Sequence, residues 1–178
     1  MASLTALYDL AEGQDGYFST TQAQAEGVSR HTLAKAAARG QLLRTSRGVY
    51  RLARYPEASQ HSHLWQAVLW PQVRTNVLAT LSHYTALQLH ELSDVNPEYT
   101  HITVPCALRI KRKQPPDLVI HHADLRAHEV QYVDGLPTTT VERTLRDVAA
   151  MGNSVALHDA LRDARARKLA IPRELANV

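Results

Sequence analysis

Ser19-Thr20-Thr21-Gln22-Ala23-Gln24-Ala25-Glu26-Gly27-Val28-Ser29-Arg30-His31-Thr32-Leu33 is the stretch that decides the fold of this 178-residue chain. The hydroxyls of Ser19-Thr20-Thr21 can accept from the free amides at a helix start, so they cap a helix reaching about Glu26. Gly27 is free to take positive φ in a tight turn, and Val28 plugs the core beside it. Ser29 caps the next helix, which runs to Arg39 and stops at Gly40. The spacing Ala23-x3-Gly27-Val28-x4-Leu33 therefore spells a helix-turn-helix. On its last helix Leu33 and Ala37 step by four and face inward. His31, Lys35 and Arg39 step by four along a different, exposed face. The alanines between them favour helix and keep its surface slim enough for a major groove.

Working outward, Ser3 caps a first helix from Leu4 to about Glu12, with Leu4, Leu7, Tyr8 and Ala11 on one face, ended by Gly13 and Gly16. Tyr17-Phe18 is a short apolar segment. Leu42-Leu43-Arg44, a Thr45-Ser46-Arg47-Gly48 turn and the alternation of Val49–Leu52 predict a two-stranded hairpin. Three helices followed by a hairpin make a winged helix-turn-helix domain over residues 1–56. Arg54 to Ser62, polar and holding Pro56, reads as a linker. Residues 57–178 read as a second domain of helices around a small sheet, so the fold class is α+β. Its expected helices are Gln60–Trp70, with Leu64, Val68 and the tryptophans inward and Pro71 as breaker, then Ser82–Leu92 capped by Ser82, Val141–Met151 and Ser154–Ala170. Its expected strands are His101–Val104, Leu118–His121 and Val130–Val133, and Asp134-Gly135-Leu136-Pro137 is a turn.

Charge is unevenly spread. The chain carries 20 basic and 17 acidic side chains; residues 1–54 hold seven and four of them, and residues 55–178 hold thirteen of each. Between Gly27 and Pro56 stand Arg30, Lys35, Arg39, Arg44, Arg47, Arg51 and Arg54 with no acid among them. An all-positive patch on a helix-turn-helix attracts phosphate backbone with little opposing charge. Arg30 and His31, near the helix start, are placed to read bases of double-stranded DNA, and Ser29, Thr32, Lys35 and Arg39 add base or phosphate contacts. Arg44, Ser46, Arg47 and Arg51 would anchor the wing on phosphate or in the minor groove. A second basic cluster, Arg109, Lys111, Arg112 and Lys113, lies between two strand runs and is closed by Pro115-Pro116. It is a further phosphate contact, a surface for an acidic partner, or a solvated loop.

Several function classes are not expected. Cys106 is the only cysteine, which excludes an intrachain disulfide and a cysteine-based zinc cluster. Met1–Ala11 lacks the pattern of a signal peptide, and the apolar runs are too interrupted to span a membrane, so a cytoplasmic location is expected. His61 and His63, and the adjacent His121 and His122, lack good metal spacing. His83 and His90, two helical turns apart, read as core histidines bonded to backbone. Arg143 and Asp147, four apart on one helix, read as a local ion pair, and Glu142 as a helix cap. Without a Ser/His/Asp order, a phosphate-cradling glycine loop or paired carboxylates, no enzyme, cofactor or metal is expected. The absence of a heptad stripe implies a monomer in solution.

Short motifs in order carry a family resemblance. They are the run from Thr21-Gln22-Ala23 to Arg47-Gly48-Val49-Tyr50, and Leu81-Ser82-His83-x2-Ala86-Leu87-x-Leu89-His90-x-Leu92. Ile102-Thr103-Val104-Pro105, then Gly135-Leu136-Pro137-x-Thr139 into Glu142-Arg143-Thr144-Leu145-x-Asp147, complete the set. In these the chain resembles the AbiEi family, antitoxins and transcriptional regulators of type IV toxin–antitoxin systems. The resemblance implies a DNA-binding N-terminal domain that represses its own operon at an operator with inverted repeats. It also implies a C-terminal domain that counters a nucleotidyltransferase-like toxin, with or without a stable complex. The same N-terminal arrangement occurs in longer proteins ending in a Vsr-like endonuclease domain; the alternative reading is the N-terminal part of such a protein, with its catalytic module beyond residue 178.

Overall fold

The computed structural model describes residues 5–56, 60–73 and 75–178. It is a mixed α/β structure with two sheets, and the chain divides into two compact units: residues 1–79 with 134–136, and 80–133 with 137–178. Ser3 and Leu4, expected to open the first helix, lie outside the described residues, as do residues 57–59 of the expected linker.

The first unit runs α1 (Thr5–Glu12), β1 (Tyr17–Ser19), α2 (Thr20–Ala25), α3 (Arg30–Ala38), β2 (Leu42–Ser46) and β3 (Val49–Leu52). Local hydrogen bonds explain each boundary. Gly16, at φ 82°, closes α1 by donating its amide to the Ala11 carbonyl, and Tyr55 packs so close that a Cβ there would lie 2.7 Å from it. Ser19 Oγ accepts from the Gln22 amide while Gln22 Oε1 accepts from the Ser19 amide, a reciprocal capping box at the start of α2. Gly27 takes φ 77°, and the Val28 amide returns to the Ala23 carbonyl. Ser29 Oγ accepts from the Thr32 amide at the start of α3. Leu7, Ala11, Phe18, Val28, Leu33, Ala36, Leu42 and Leu52 form the core of the unit. Fully burying a side chain such as Leu33 stabilises by about 1.5–3 kcal/mol.

The sheet order is β1-β3-β2, all antiparallel, with Tyr17 opposite Arg51 and Leu42 opposite Leu52. The hairpin turn is tighter than expected: β2 extends to Ser46, a bulge falls between Arg44 and Ser46, and only Arg47 and Gly48 lie between the strands. Two inward faces also differ from expectation. Tyr8 is 50 % exposed, and Leu10 takes its place against the core. On α3 it is Leu33 and Ala36 that are buried, with Ala37 only half-buried.

The unit continues past the expected boundary at residue 56. A 3-10 turn at Ser62–Leu64, α4 (Trp65–Leu69) and a 3-10 turn at Pro71–Val73 replace the single expected helix. They pack back on the N-terminal elements, because Ser19 Oγ donates to Gln72 Oε1 at 2.8 Å and Thr21 Oγ1 to the Gln72 carbonyl at 2.7 Å. Leu64, Trp65, Val68 and Trp70 are buried, as their apolar character requires.

The second unit holds β4 (Thr80–Leu81), α5 (His83–Leu89), β5 (Thr100–Val104), β6 (Leu118–His122), β7 (Val130–Val133), β8 (Leu136–Thr139), α6 (Val141–Ala150) and α7 (Ser154–Ala166). The sheet order is β6-β5-β4-β8-β7; β5 and β6 are parallel, β4 and β5 antiparallel, β4 and β8 parallel. Leu87, Leu92, Leu145, Val148 and Leu161 pack the helices together. β4 and β8 were not expected from the sequence. Of the expected turn Asp134-Gly135-Leu136-Pro137, Asp134 and Gly135 do turn, at φ 50° and 78°, while Leu136 and Pro137 are extended in β8. Ser82 does not cap α5 with its side chain; its hydroxyl accepts from Thr103 Oγ1 and faces His83 Nδ1 at 3.0 Å. Thr140 rather than Glu142 caps α6. α7 ends at Ala166, short of Ala170.

Candidate nucleic-acid interface

α3 carries its polar side chains outward. Ser29, Arg30, His31, Thr32, Lys35 and Arg39 are all exposed, because Leu33 and Ala36 use the opposite face for the core. Ser29 and Thr32 also face each other, Oγ to Oγ1 at 2.9 Å, which fixes the first turn of the helix. Arg44 projects from β2, an edge strand, and Arg47 from the hairpin turn; both are exposed. Among the described residues, the side chains of Arg30, Lys35, Arg39 and Arg44 have no hydrogen-bond or ion-pair partner. Four cations held apart from any carboxylate on one small unit make a positive surface whose charge is available to an anion.

Two residues expected in this surface are placed otherwise. Arg51 is a correction: it is 8 % exposed, its Nε donates to the Asp15 carbonyl at 3.3 Å and its Nη2 to that of Tyr55 at 3.0 Å, and its guanidinium carbon lies 5.5 Å from the centre of the Tyr17 ring. The reason is strand order. Alternation along Val49–Leu52 presumes one solvated face, but β3 is the central strand of its sheet and all four of its residues are buried. Ser46 lies at the bulge, half-buried, with its hydroxyl buried and without a hydrogen-bond partner.

In the second unit, the expected cluster Arg109–Lys113 is a loop between β5 and β6. Arg109 is turned onto its own loop, donating from Nη1 to the carbonyls of Cys106 at 2.6 Å and Leu108 at 3.0 Å. Arg112 is half-buried with a buried Nε. Lys111 and Lys113 are exposed. Gln114 Nε2 donates to the Leu118 carbonyl, tying the end of the loop to β6.

The charged residues read as structural and His90 find partners within the second unit, whereas His83, expected to bond backbone, faces the Ser82 hydroxyl instead. Arg143 pairs with Asp147 at 2.8 Å and with Glu129 at 3.0 Å, and Glu142 pairs with Arg146 at 2.6 Å. Burial pushes the Asp147 carboxyl up, against the pull of Arg143, and its Oδ2 is buried without a hydrogen-bond partner. His90 Nε2 meets the Thr139 carbonyl at 2.7 Å. A histidine cluster had no signal in the sequence. His83 stacks on His121 with ring centres 3.5 Å apart, and His101 Nδ1 lies 2.9 Å from His121 Nε2. Burial, then the neighbouring imidazoles, lowers His83 to about 3 and His101 to about 4. The three rings come from α5, β5 and β6, so only the parallel register of β5 and β6 brings them together. Among the described residues, no group of three or more His, Cys, Asp or Glu side chains is placed to hold a metal ion, and no helix is long and apolar enough to cross a membrane.

No curated protein matches the chain. Residues 6–53 match the family model described as a transcriptional regulator, AbiEi antitoxin. The matched segment spans α1 to β3, the elements that present the unpaired cations. Over residues 6–53, and so over its first unit alone, the chain is similar to the AbiEi antitoxin and transcriptional-regulator family.

Proposed function

We propose that the chain is a sequence-specific, double-stranded DNA-binding repressor that autoregulates its operon and serves as the antitoxin of a type IV pair with a nucleotidyltransferase-like toxin. The observation that carries this reading is the coincidence of the matched segment with an exposed, acid-free cationic helix and hairpin. α1–α3 and the β2–β3 hairpin act as a winged helix-turn-helix. α3 enters the major groove, Arg30 and His31 read base edges, and Ser29, Thr32, Lys35 and Arg39 hold base or phosphate. Arg44 and Arg47 hold phosphate from the hairpin, and Lys111 and Lys113 are the free cations of the second unit's loop. On this reading the chain works by binding, uses no cofactor and catalyses no reaction.

One small domain buries too little surface for tight specific binding, so the monomer meets its operator as two copies on an inverted repeat. A mobility-shift titration with the duplex upstream of the gene tests the core of the proposal. Arg30→Ala should cost roughly 1–3 kcal/mol and relax preference at one base pair. Lys35→Ala should weaken specific and nonspecific duplexes alike. Unchanged binding by both variants would overturn the assignment of α3. Co-expression with the toxin tests the antitoxin half, since the intact chain should restore growth.

A further inference from the structure

Between the C-terminal end of α3 and the open end of the β2–β3 hairpin the first unit has a cleft of about 340 Å³. Its floor is Leu42 and Leu52, the outermost pair in the register of the two strands. Tyr8, the half-exposed aromatic of α1, forms one wall. Arg39 and Arg54 line it too, and among the described residues neither guanidinium has an ion-pair or hydrogen-bond partner. Gly40, at φ 70°, presents no side chain, and a Cβ there would meet nothing within 4 Å, so that side stands open.

Each part of this arrangement selects a feature of a ligand. Two guanidiniums in one concave site, with no carboxylate among its described lining residues, concentrate positive potential there. Their planar forks match the paired oxygens of a carboxylate or phosphate. The Tyr8 ring and the leucine floor offer an apolar face on which a flat body can lie. The volume is at the small end for ligand sites, which limits the body to about one ring. We propose that this cleft is a binding site for a small organic anion, a carboxylate or phosphate carried on a single flat ring. Arg39 also belongs to the exposed cationic face of α3, so an occupied cleft neutralises one of its charges and opposes DNA binding. That consequence, unlike the site itself, rests on the DNA-binding reading.

Calorimetric titration of the full chain without DNA tests the site. Phenyl phosphate and benzoate are the ring-bearing probes; inorganic phosphate supplies the head alone and benzyl alcohol the body alone. At least one ring-bearing anion should bind saturably at one per chain, with head-only and body-only probes about tenfold weaker or more. Arg54→Gln should weaken the ring-bearing anion about tenfold, the loss of roughly one charge-assisted hydrogen bond. Tyr8→Ala, an exposed position that leaves the core intact, should weaken it as well. The proposal fails if neither ring-bearing anion saturates, if inorganic phosphate binds as tightly as phenyl phosphate, or if Arg54→Gln binds like the parent. Because no duplex is present, these outcomes are independent of whether α3 reads DNA. A mobility shift that fails while the titration succeeds condemns only the DNA reading.

Discussion

Arg51 donates to the carbonyls of Asp15 and Tyr55, joining the loop before β1 to the segment after β3. Its charge is therefore used inside the first unit, while Arg44, one strand away at the edge, is exposed and has no hydrogen-bond or ion-pair partner among the described residues. The two arginines should separate cleanly on substitution. Arg51→Ala leaves two carbonyls without their charged donor and should cost about 1.5–3 kcal/mol in urea unfolding. Its duplex affinity, corrected for the folded fraction, should stay near that of the parent. Arg44→Ala should do the reverse, weakening duplex binding with stability nearly unchanged. Equal loss of affinity in the two variants would return Arg51 to the DNA surface. Gly16 sets a second residue-scale test. Its φ of 82° and the Tyr55 side chain 2.7 Å from any added Cβ leave no room for alanine. Gly16→Ala should destabilise by at least the roughly 1–2 kcal/mol of a left-handed L-residue, read as a lowered urea midpoint.

At the scale of elements, the loop between β5 and β6 has fewer available cations than its sequence displays. Arg109 is folded onto Cys106 and Leu108, and Arg112 is half-buried, which leaves Lys111 and Lys113 as the exposed pair. Each phosphate contact contributes about −0.9 to the slope of log affinity against log salt. If the loop touches DNA, Lys111→Ala with Lys113→Ala should flatten that slope by about two and leave base preference intact. A slope identical to the parent's would mark the loop as solvated or as serving the toxin. The α2–turn–α3 segment was legible because its determinants are local: Ser19 with Gln22, Gly27 and Ser29 make their bonds within a few residues. What was not legible depends on distant partners. β4 has only two residues, β8 contains Pro137, and both exist through their places in the sheet. Likewise the packing of residues 62–73 on β1 and α2 rests on Gln72 meeting Ser19 and Thr21. Nothing in the composition of residues 54–62 announces that closure.

For the whole molecule, the histidines make acid stability a property of the second unit. His83 and His101 are both buried, and the folded chain holds them neutral down to about pH 3 and about pH 4. His121, against both rings, is also lowered by burial, and Arg143 adds to the positive potential at His83. Unfolded, each imidazole protonates near its ordinary value of about 6.5. Above that pH both states are neutral and the histidines add no pH dependence. Below it the unfolded chain binds more protons than the folded one, so stability falls as pH falls and keeps falling until the folded values are reached. At pH 5, about 1.5 units below the ordinary value, one histidine held neutral costs about 2 kcal/mol. Two such residues should lower the stability of the second unit by roughly 4 kcal/mol between pH 7 and pH 5. The first unit contributes no buried histidine to this effect, so calorimetry should show two transitions drawing apart as the pH is lowered. His101→Gln keeps a polar side chain beside His121 and should reduce that fall by about 2 kcal/mol. A second-unit transition that stays fixed between pH 7 and pH 5 would mean that the stacked rings accept protons in the folded state.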